Sequence, residues 1–593
     1  MLIALLFAAH SLLAQSVLAQ SEPPLRTADR GTPARHSASS RDDSARIVRS
    51  ARRAQERFES LRRRYLPREF GHGSHHCDVV VGRWCVWNDE TNDREPPPES
   101  PRIRDARLAL LATLDTLGNL QPQDEWIAGQ QVRYLIEAKR HADAADVALR
   151  CLAAATSSYY CRALGALALH DSGAVQAADS AFADALSAMD DSTRCRWTDI
   201  SLLLDSELER RYSKMDCSGR NALAASYWRL GAPLFLLEPD WRNEFFARVT
   251  RTELARSARS PMGSPNDDAY RETALRYGFD TWYVIEEPPL GSMSQSTVAG
   301  YRSQGPGYNF TPGARVFAFP ESLSVEDWDL KLRSAQAMYA PTYLRHLLPL
   351  PRRQIAVFRR GDTAVVTAAY DVREDTLLAR HPLRAGLFGA PVDGNRIDLP
   401  LGTVDSSAGA TGVLAVRAPW KPMIVSLELF DRETRSAARA RIGIPNRDVG
   451  SRIGVSDLLL FAPADSTPLP QQLGDALPRA LATHRITANR PLGIFWETYG
   501  VRPGGEVLGV TLTIERVREA WWRRAAQRVG LASSTSPLHV QWQEVPDRSN
   551  RAAPRAIAVD LSRLAEGHYR VRLTVSPRNE PPVVATREIV VER

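Results

Sequence analysis

The pattern of apolar and polar positions divides the chain into a helical first half and a β-rich second half. From Ala45 to about Tyr65, apolar residues recur at steps of three and four with arginines between them, which predicts an amphipathic helix. Its arginine face is interpreted as solvated; a face for nucleic acid or anionic lipid is the alternative. The predicted apolar stripe consists of Ile47, Val48, Ala51, Ala54, Phe58, Leu61 and Tyr65.

A weak internal repeat lies in the helical half. The run after Gly173 has the spacing of the second helix of a tetratricopeptide unit. A similar run lies thirty-three residues earlier, close to the repeat period of about 34 residues. The two runs are Ala145, Leu149, Leu152 and Ala153, and Ala178, Phe182, Ala185 and Leu186.

The apolar period becomes two from Gln354 onward, and turn residues such as Gly361 and Asp362 separate short runs, which predicts strands and hairpins. We therefore expect a multidomain α+β protein. An all-α helical-repeat region of tetratricopeptide-like helices would be followed by a mixed domain and two immunoglobulin-like β-sandwich domains.

The predicted organisation has seven segments. They are a signal peptide over 1–19, a disordered linker over 20–45, a basic helix and Cys/His loop over 46–101, the helical-repeat domain over 102–230, a mixed α/β region over 231–350, a β-sandwich over 351–450 and a C-terminal β-sandwich with an inserted helix over 451–593.

The first nineteen residues predict export. They carry no charged residue, have an apolar core and end in Val-Leu-Ala, which favours cleavage before Gln20, although the usual positive start is missing. No later run is apolar enough, over about 18 residues, for a membrane span. We expect a periplasmic or extracellular protein with no transmembrane anchor after cleavage.

Composition narrows the function classes. Hydrophobic residues make up 44% and charged residues 24% of the 593 positions, which excludes a mainly disordered chain, a collagen and a polytopic membrane protein. The net charge of +7 is the difference between 76 basic and 69 acidic residues. Of the basic residues, 72 are arginines. Such a skew is typical of a GC-rich genome, so we expect no nucleic-acid partner. The lysines are Lys139, Lys214, Lys331 and Lys421.

The six cysteines fall into three local pairs. An even number in an exported protein favours disulfides, although six cysteines allow fifteen connectivities. Local pairing is the simplest of them. The predicted pairs are Cys77/Cys85, Cys151/Cys161 and Cys195/Cys217.

A dense group of histidines and cysteines is the sharpest candidate for chemistry. Zinc takes neutral imidazole and thiolate ligands, but the spacing here matches no strong zinc pattern. A Cys77–Cys85 disulfide beside exposed histidines is therefore favoured, and a metal site is the alternative. No cofactor is expected. The weak metal-ligand candidates are His72, His75, His76 and Asp78.

Signatures of catalysis are missing from the sequence. It contains no G-x-S-x-G, H-E-x-x-H, G-x-x-x-x-G-K or S-x-x-K, so no catalytic residue is assigned and a non-enzymatic role is favoured.

Two aromatic groups are candidates for carbohydrate binding. Trp521 and Trp522 lie in a predicted inserted helix, where core packing is favoured over an exposed patch. Phe495, Trp496 and Tyr499 have rings that can stack on sugars, but strand alternation places Phe495 and Trp496 on opposite faces.

Several segments together resemble large exported bacterial proteins without assigned function. They are HHCDVVVGRWCVW, YYCRALGALALHDSG, FADALSAM, RCRWTD and PLFLLEPDWRNEFFAR. The later part resembles proteins with the GWxTD domain, through TWYVIEEPPLG, IFWETYGV and a closing Leu564, Gly567 and Tyr569 pattern; Gly278-Phe279-Asp280-Thr281-Trp282 stands where the signature would be. The resemblance implies an envelope or exported location, helical repeats and β-sandwiches, and no catalytic residue.

Three hypotheses follow. The first is a non-enzymatic exported protein that binds another envelope or secreted protein, with the helical repeats offering a concave binding surface. The second is a carbohydrate-binding envelope protein using the aromatic groups. The third is a metal-dependent hydrolase of envelope polymers centred on the histidines.

Overall fold

The structure is a computed structural model. It describes residues 36–70, 77–82, 84–86, 95–238, 240–263, 267–288, 295–301, 307–328, 330, 335–394, 396–445, 452–464, 466–502, 506–517, 538–546, 552–578 and 580–593. The predicted signal peptide lies outside these residues.

The described helices occupy mostly the first half of the chain, as the periodicity predicts. Aspartates at Asp124, Asp190, Asp205 and Asp216 begin several of them by accepting a hydrogen bond from a first-turn amide. The helices are α1 His36–Arg64, α2 Pro101–Leu120, α3 Glu125–Glu137, α4 His141–Ala154, α5 Tyr159–Asp171, α6 Val175–Ser187, α7 Asp191–Trp197, α8 Ser206–Tyr212, α9 Cys217–Leu230, α10 Trp241–Ala255, α11 Asp268–Tyr277, α12 Ala314–Ala318 and α13 Leu473–Ala476.

Helix α1 begins earlier than the sequence indicates. It begins at His36 rather than Ala45, so the end of the segment predicted to be a disordered linker is helical. Few apolar residues precede Ala45, so the apolar pattern does not indicate this first part of the helix. A polar sequence can nevertheless extend a helix that is already formed.

The described strands occupy mostly the second half. They are β1 Arg68–Phe70, β2 Val79–Val81, β3 Trp84–Val86, β4 Trp282–Glu287, β5 Thr297–Tyr301, β6 His346–Pro349, β7 Arg353–Arg360, β8 Thr363–Asp371, β9 Leu383–Asp393, β10 Arg396–Ile397, β11 Leu401–Ala408, β12 Thr411–Pro419, β13 Met423–Asp431, β14 Ser436–Ile444, β15 Gly454–Val455, β16 Leu459–Phe461, β17 Arg485–Thr487, β18 Leu492–Tyr499, β19 Leu508–Arg516, β20 Leu538–Glu544, β21 Ala552–Val559, β22 Gly567–Pro577 and β23 Val583–Glu592.

The chain forms two compact units. The first comprises residues up to 203 together with 239–305 and 332–339, and the second comprises 204–238, 306–331 and 340–593. In the first unit, each helix from α3 to α6 packs against the next, and α1 packs against α2. A three-stranded sheet in the order β1-β4-β5 and the hairpin β2–β3 complete this unit.

The second unit contains two pairs of facing sheets. The first pair consists of β10-β9-β13-β14-β6, with β11 also on β9, and of β12-β8-β7. Alternate residues of both sheets, such as Val366, Tyr370, Leu387 and Leu427, enclose one apolar core. The predicted hairpin at Gly361 and Asp362 joins β7 to β8, and Arg360 pairs with Thr363.

The second pair of sheets has its own core. Its sheets are β15-β18-β16, with β21 also on β18, and β17-β23-β22-β19-β20. Ile494, Trp496, Leu512 and Leu573 are buried between them. A further apolar cluster, which includes Phe358 of β7 and Phe495 of β18, lies where the two pairs of sheets meet.

Side chains of the second pair of sheets seal the exposed edge of β7. The backbone amide of Val357 donates to Asp457 Oδ2 at 2.9 Å, and that of Arg359 donates to Tyr499 Oη at 2.9 Å. An open strand edge would otherwise offer unpaired amides to another chain. The β-rich part of the second unit is therefore held together by polar as well as apolar contacts.

Candidate functional site

The histidines of the predicted metal group lie outside the described residues. Of that group, Asp78 is described, and its amide donates to the Val86 carbonyl at 3.1 Å. Cys77 is disulfide-bonded, so it offers no thiolate to zinc. Among the described residues, no group of three or more His, Cys, Asp or Glu side chains is placed to hold a metal ion.

The described cysteines are oxidised. Cys151 at the end of α4 and Cys161 at the start of α5 form a disulfide with their Cα atoms 5.7 Å apart, as the local spacing predicts. Cys195 and Cys217 are each disulfide-bonded as well. In the described part of the chain, no helix is long and apolar enough to cross a membrane.

The described aromatic candidates do not form a platform for sugars. Trp496 is 1% exposed in the core of the second pair of sheets, and Phe495 is buried on the other face of β18, as alternation predicts. The Tyr499 hydroxyl donates to Glu497 at 2.9 Å and accepts from the Arg359 amide. Trp521 and Trp522 lie outside the described residues.

A helix of the same chain covers the face on which the repeat hypothesis places a partner. The predicted runs fall on α4 and α6, which makes α3 and α5 the first helices of the two units. Helix α10 packs against α3, α5 and α6. Gln130 Nε2 donates to the Leu254 carbonyl at 3.1 Å, and Phe182 packs against Phe246 with ring centroids 5.7 Å apart.

Ion pairs add to the attachment of α10. Glu244 accepts hydrogen bonds from Arg248 at 2.6 Å and contacts His170 Nε2 at 2.9 Å, and Arg251 donates to Asp171. Burial opposes ionisation of Glu244, but Arg248 and His170 outweigh it and lower its pKa. Helix α10 is therefore an integral part of the fold, and this face of the helices is not a free binding groove.

A second buried ionic cluster lies between α1 and α3. Glu59 Oε1 accepts a hydrogen bond from the Tyr134 hydroxyl at 2.7 Å and one from Arg133 at 3.3 Å. Arg62 donates to Glu137 Oε2 at 3.1 Å. Burial is the main cause of the raised pKa of Glu59. These contacts join α1 to α3.

A third buried cluster lies on the outer face of the first sheet. Arg441 donates to Glu428 at 3.1 Å and to the Leu230 carbonyl at 2.8 Å, and its guanidinium lies 4.0 Å from the ring centroid of Phe235. The amide of Leu236 donates to the other oxygen of Glu428 at 2.8 Å. The segment after α9 therefore seals this polar face, and Arg441 and Glu428 have no exposed surface.

Strand β11 is one of the places in the described residues where apolar side chains are exposed. Residues 401–407 are all exposed, although the strand pairs with β9 from Leu401 to Ala408. Leu399 is 70%, Leu401 46% and Val404 43% exposed. Leu401 and Val404 point to opposite faces of the strand, and both faces are exposed. We call residues 399–407, with both of these faces, the β11 surface.

The composition of the β11 surface sets it apart from the rest of the chain. No arginine or lysine occurs from Ile397 to Val416, although 76 of the 593 residues are basic. Exposed strands are usually guarded by charge, and exposed apolar patches mark interaction sites. The alternation of apolar residues predicts a β-sandwich over 351–450 but does not indicate this exposed strand. The absence of arginine and lysine from this stretch is the feature of the sequence that could have indicated the surface.

Comparison with known proteins gives no family. No family model matches the chain, and no curated protein matches it. Solved structures match only part of the chain. Red sea bream transglutaminase is 11% identical over 41% of this chain and 31% of its own, and the TM-score is 0.13. Two forms of Escherichia coli α2-macroglobulin, activated by porcine elastase or by trypsin, match at 13% identity. They cover 40% and 49% of this chain and 22% and 20% of theirs, with TM-scores of 0.13 and 0.15. This chain therefore spans less than a third of each, and TM-scores this low carry no argument.

Proposed function

We propose that this is an exported, non-enzymatic protein that binds another envelope or secreted protein through the β11 surface. The observation that carries the proposal is the exposure of Leu399, Leu401 and Val404 in and just before β11, within the stretch from Ile397 to Val416 that contains no arginine or lysine. Protein interfaces have an apolar centre that is depleted in charge. The proposal moves the binding surface from the helical repeats, where α10 covers the expected face, to the sheets.

Two further observations support it. Strand β11 pairs with β9 at six positions between Leu383 and Gly389, so the surface is preformed and little ordering entropy is lost on binding. Disulfides such as Cys151–Cys161 persist in oxidising compartments, which supports export.

Site-specific photocrosslinking tests the proposal. A photoreactive amino acid replaces Val404 in the full chain, and cells are irradiated. We expect one discrete crosslinked species in the envelope or secreted fraction. It should disappear when Leu399 and Leu401 are changed to Ser, because the apolar contact is lost, while circular dichroism stays unchanged.

The matched control places the same photoreactive amino acid at Arg563, which is exposed in the same unit but lies on no apolar surface. If both positions give the same species, or if Leu399→Ser/Leu401→Ser leaves the Val404 species unchanged, the β11 surface is not the binding surface.

A further inference from the structure

Helix α1 has two different faces. Ala51, Ala54 and Phe58 are buried, and so are the polar side chains of the ionic cluster on the same side. At about 100° per residue, the opposite side carries Arg49, Arg53, Arg57 and Arg64, and all four are exposed. We call these four residues the arginine stripe.

The arginine stripe keeps its charge. Among the described residues, no hydrogen bond or ion pair joins these four guanidiniums to a carboxylate, unlike Arg62, which pairs with Glu137. Of the nearby acidic side chains, Asp43 pairs with Arg46 at 2.6 Å and Glu56 lies 3.9 Å from Arg259, while Asp42 is exposed two turns of helix before Arg49. Four like charges therefore face solvent together.

The geometry of the stripe favours a flat partner. From Arg49 to Arg64 it runs along one continuous helix for about 22 Å, at a rise of about 1.5 Å per residue. The other side of α1 is occupied by α2 and α3, so the helix cannot insert an apolar face into a bilayer. A planar surface of negative charge can touch all four guanidiniums at once.

We propose that the arginine stripe binds the surface of an anionic lipid bilayer by electrostatic attraction alone. This goes beyond the proposed protein-binding function and does not depend on the β11 surface. Each arginine near such a surface contributes about 1 kcal/mol, which corresponds to roughly fivefold in the partition coefficient. The attraction weakens as salt shortens the screening length.

Cosedimentation of the full chain with vesicles tests this. Vesicles of phosphatidylcholine alone are compared with vesicles that contain about one third phosphatidylglycerol. We expect binding only to the anionic vesicles, a decrease with added salt, and a loss of roughly fivefold for each stripe arginine changed to Gln. Changing all four to Lys should retain binding, because a lipid surface requires positive charge rather than guanidinium geometry.

The matched control changes four exposed arginines elsewhere to Gln and so removes the same net charge. The control arginines are Arg417, Arg432, Arg563 and Arg572. Circular dichroism and urea midpoints verify that both sets fold, since Gln has a helix propensity close to that of Arg. Equal losses in the two sets overturn the proposal, as does binding to soluble polyglutamate or heparin without binding to anionic vesicles.

Discussion

Arg360 of β7 donates two hydrogen bonds to the carboxylate of Glu497 on β18, one of them 2.7 Å long, and so joins one pair of sheets to the next. Glu497 is 2% exposed. The loss of Arg360 would leave this buried carboxylate with the Tyr499 hydroxyl as its remaining described side-chain donor. The carboxylate is therefore an interior group, whereas the Arg360 side chain that pairs with it is 39% exposed.

We predict that Arg360→Met lowers the free energy of unfolding by about 1–2 kcal/mol, because a buried carboxylate loses its cation while solvent screens the partly exposed Arg360. Urea denaturation measures the change. Arg373→Met is the matched control: Arg373 makes a similar two-bond contact with Asp371 but is 69% exposed, so its loss should destabilise the protein less than the loss of Arg360. Equal effects of the two variants would contradict the interior role.

For the buried Arg441–Glu428 pair, removing one charge should destabilise the protein more than removing both. We predict that Glu428→Gln lowers the free energy of unfolding by about 3–5 kcal/mol, because Arg441 is left without a counter-charge at zero exposure. The double variant Arg441→Met/Glu428→Met should be more stable than Glu428→Gln. Chemical denaturation of the three proteins checks this, and a double variant less stable than the single one would refute it.

Gly129 allows α10 to approach α3 closely. A Cβ at this position would lie 2.7 Å from Leu254 Cδ2 and 3.3 Å from Tyr160 Oη. We predict that Gly129→Ala lowers the free energy of unfolding by about 1–2 kcal/mol, because overpacking outweighs the gain in helix propensity of about 1 kcal/mol. In the control Gly474→Ala in α13, the Cβ meets no atom within 4 Å, so this protein should be as stable as the parent or more stable. Thermal unfolding distinguishes the two, and a stable Gly129→Ala protein would show that α10 packs less tightly than described.

The sequence predicts elements better than their assembly. The helical stripe of α1, the hairpin at Gly361 and the alternation along β18 are local patterns, and the structure confirms them. Each depends on residues a few positions apart, whose spacing reflects helix or strand geometry directly. The tetratricopeptide-like character of the helices and the immunoglobulin-like character of the sheets remain predictions.

The buried ionic clusters could not be predicted from spacing. Gln55, Glu59 and Arg62 interrupt the apolar stripe of α1 and have the composition of a solvated face, but their partners on α3 lie about 75 residues away along the chain. Likewise, nothing around Trp241 indicates that α10 returns to cover α3 and α5. Ion pairs between residues far apart in the chain depend on the tertiary fold. The spacing of residues in a single sequence therefore does not predict which charged side chains form them.

His381 and Asp431 give the fold a dependence on pH. His381 Nδ1 lies 2.8 Å from Asp431 Oδ2, and its Nε2 lies 3.3 Å from Glu433. The hydrogen bond to Asp431 raises the pKa of His381 above 6.5. Burial alone would raise the pKa of Asp431, but His381 and the amides of Glu433 and Thr434 lower it.

Because the folded-state pKa of His381 is raised, the stabilisation is complete below pH 6.5 and is lost as the pH rises through the folded value. For Asp431, with a lowered pKa, it is present above pH 3.8 and is lost as the pH falls through the folded value. We predict that stability decreases above pH 6.5 in the parent and that this decrease disappears in His381→Gln. Glu433→Gln should retain most of it, since Glu433 is 72% exposed. Urea midpoints across the pH range measure the effect, and an unchanged profile in His381→Gln would mean that another group causes the decrease.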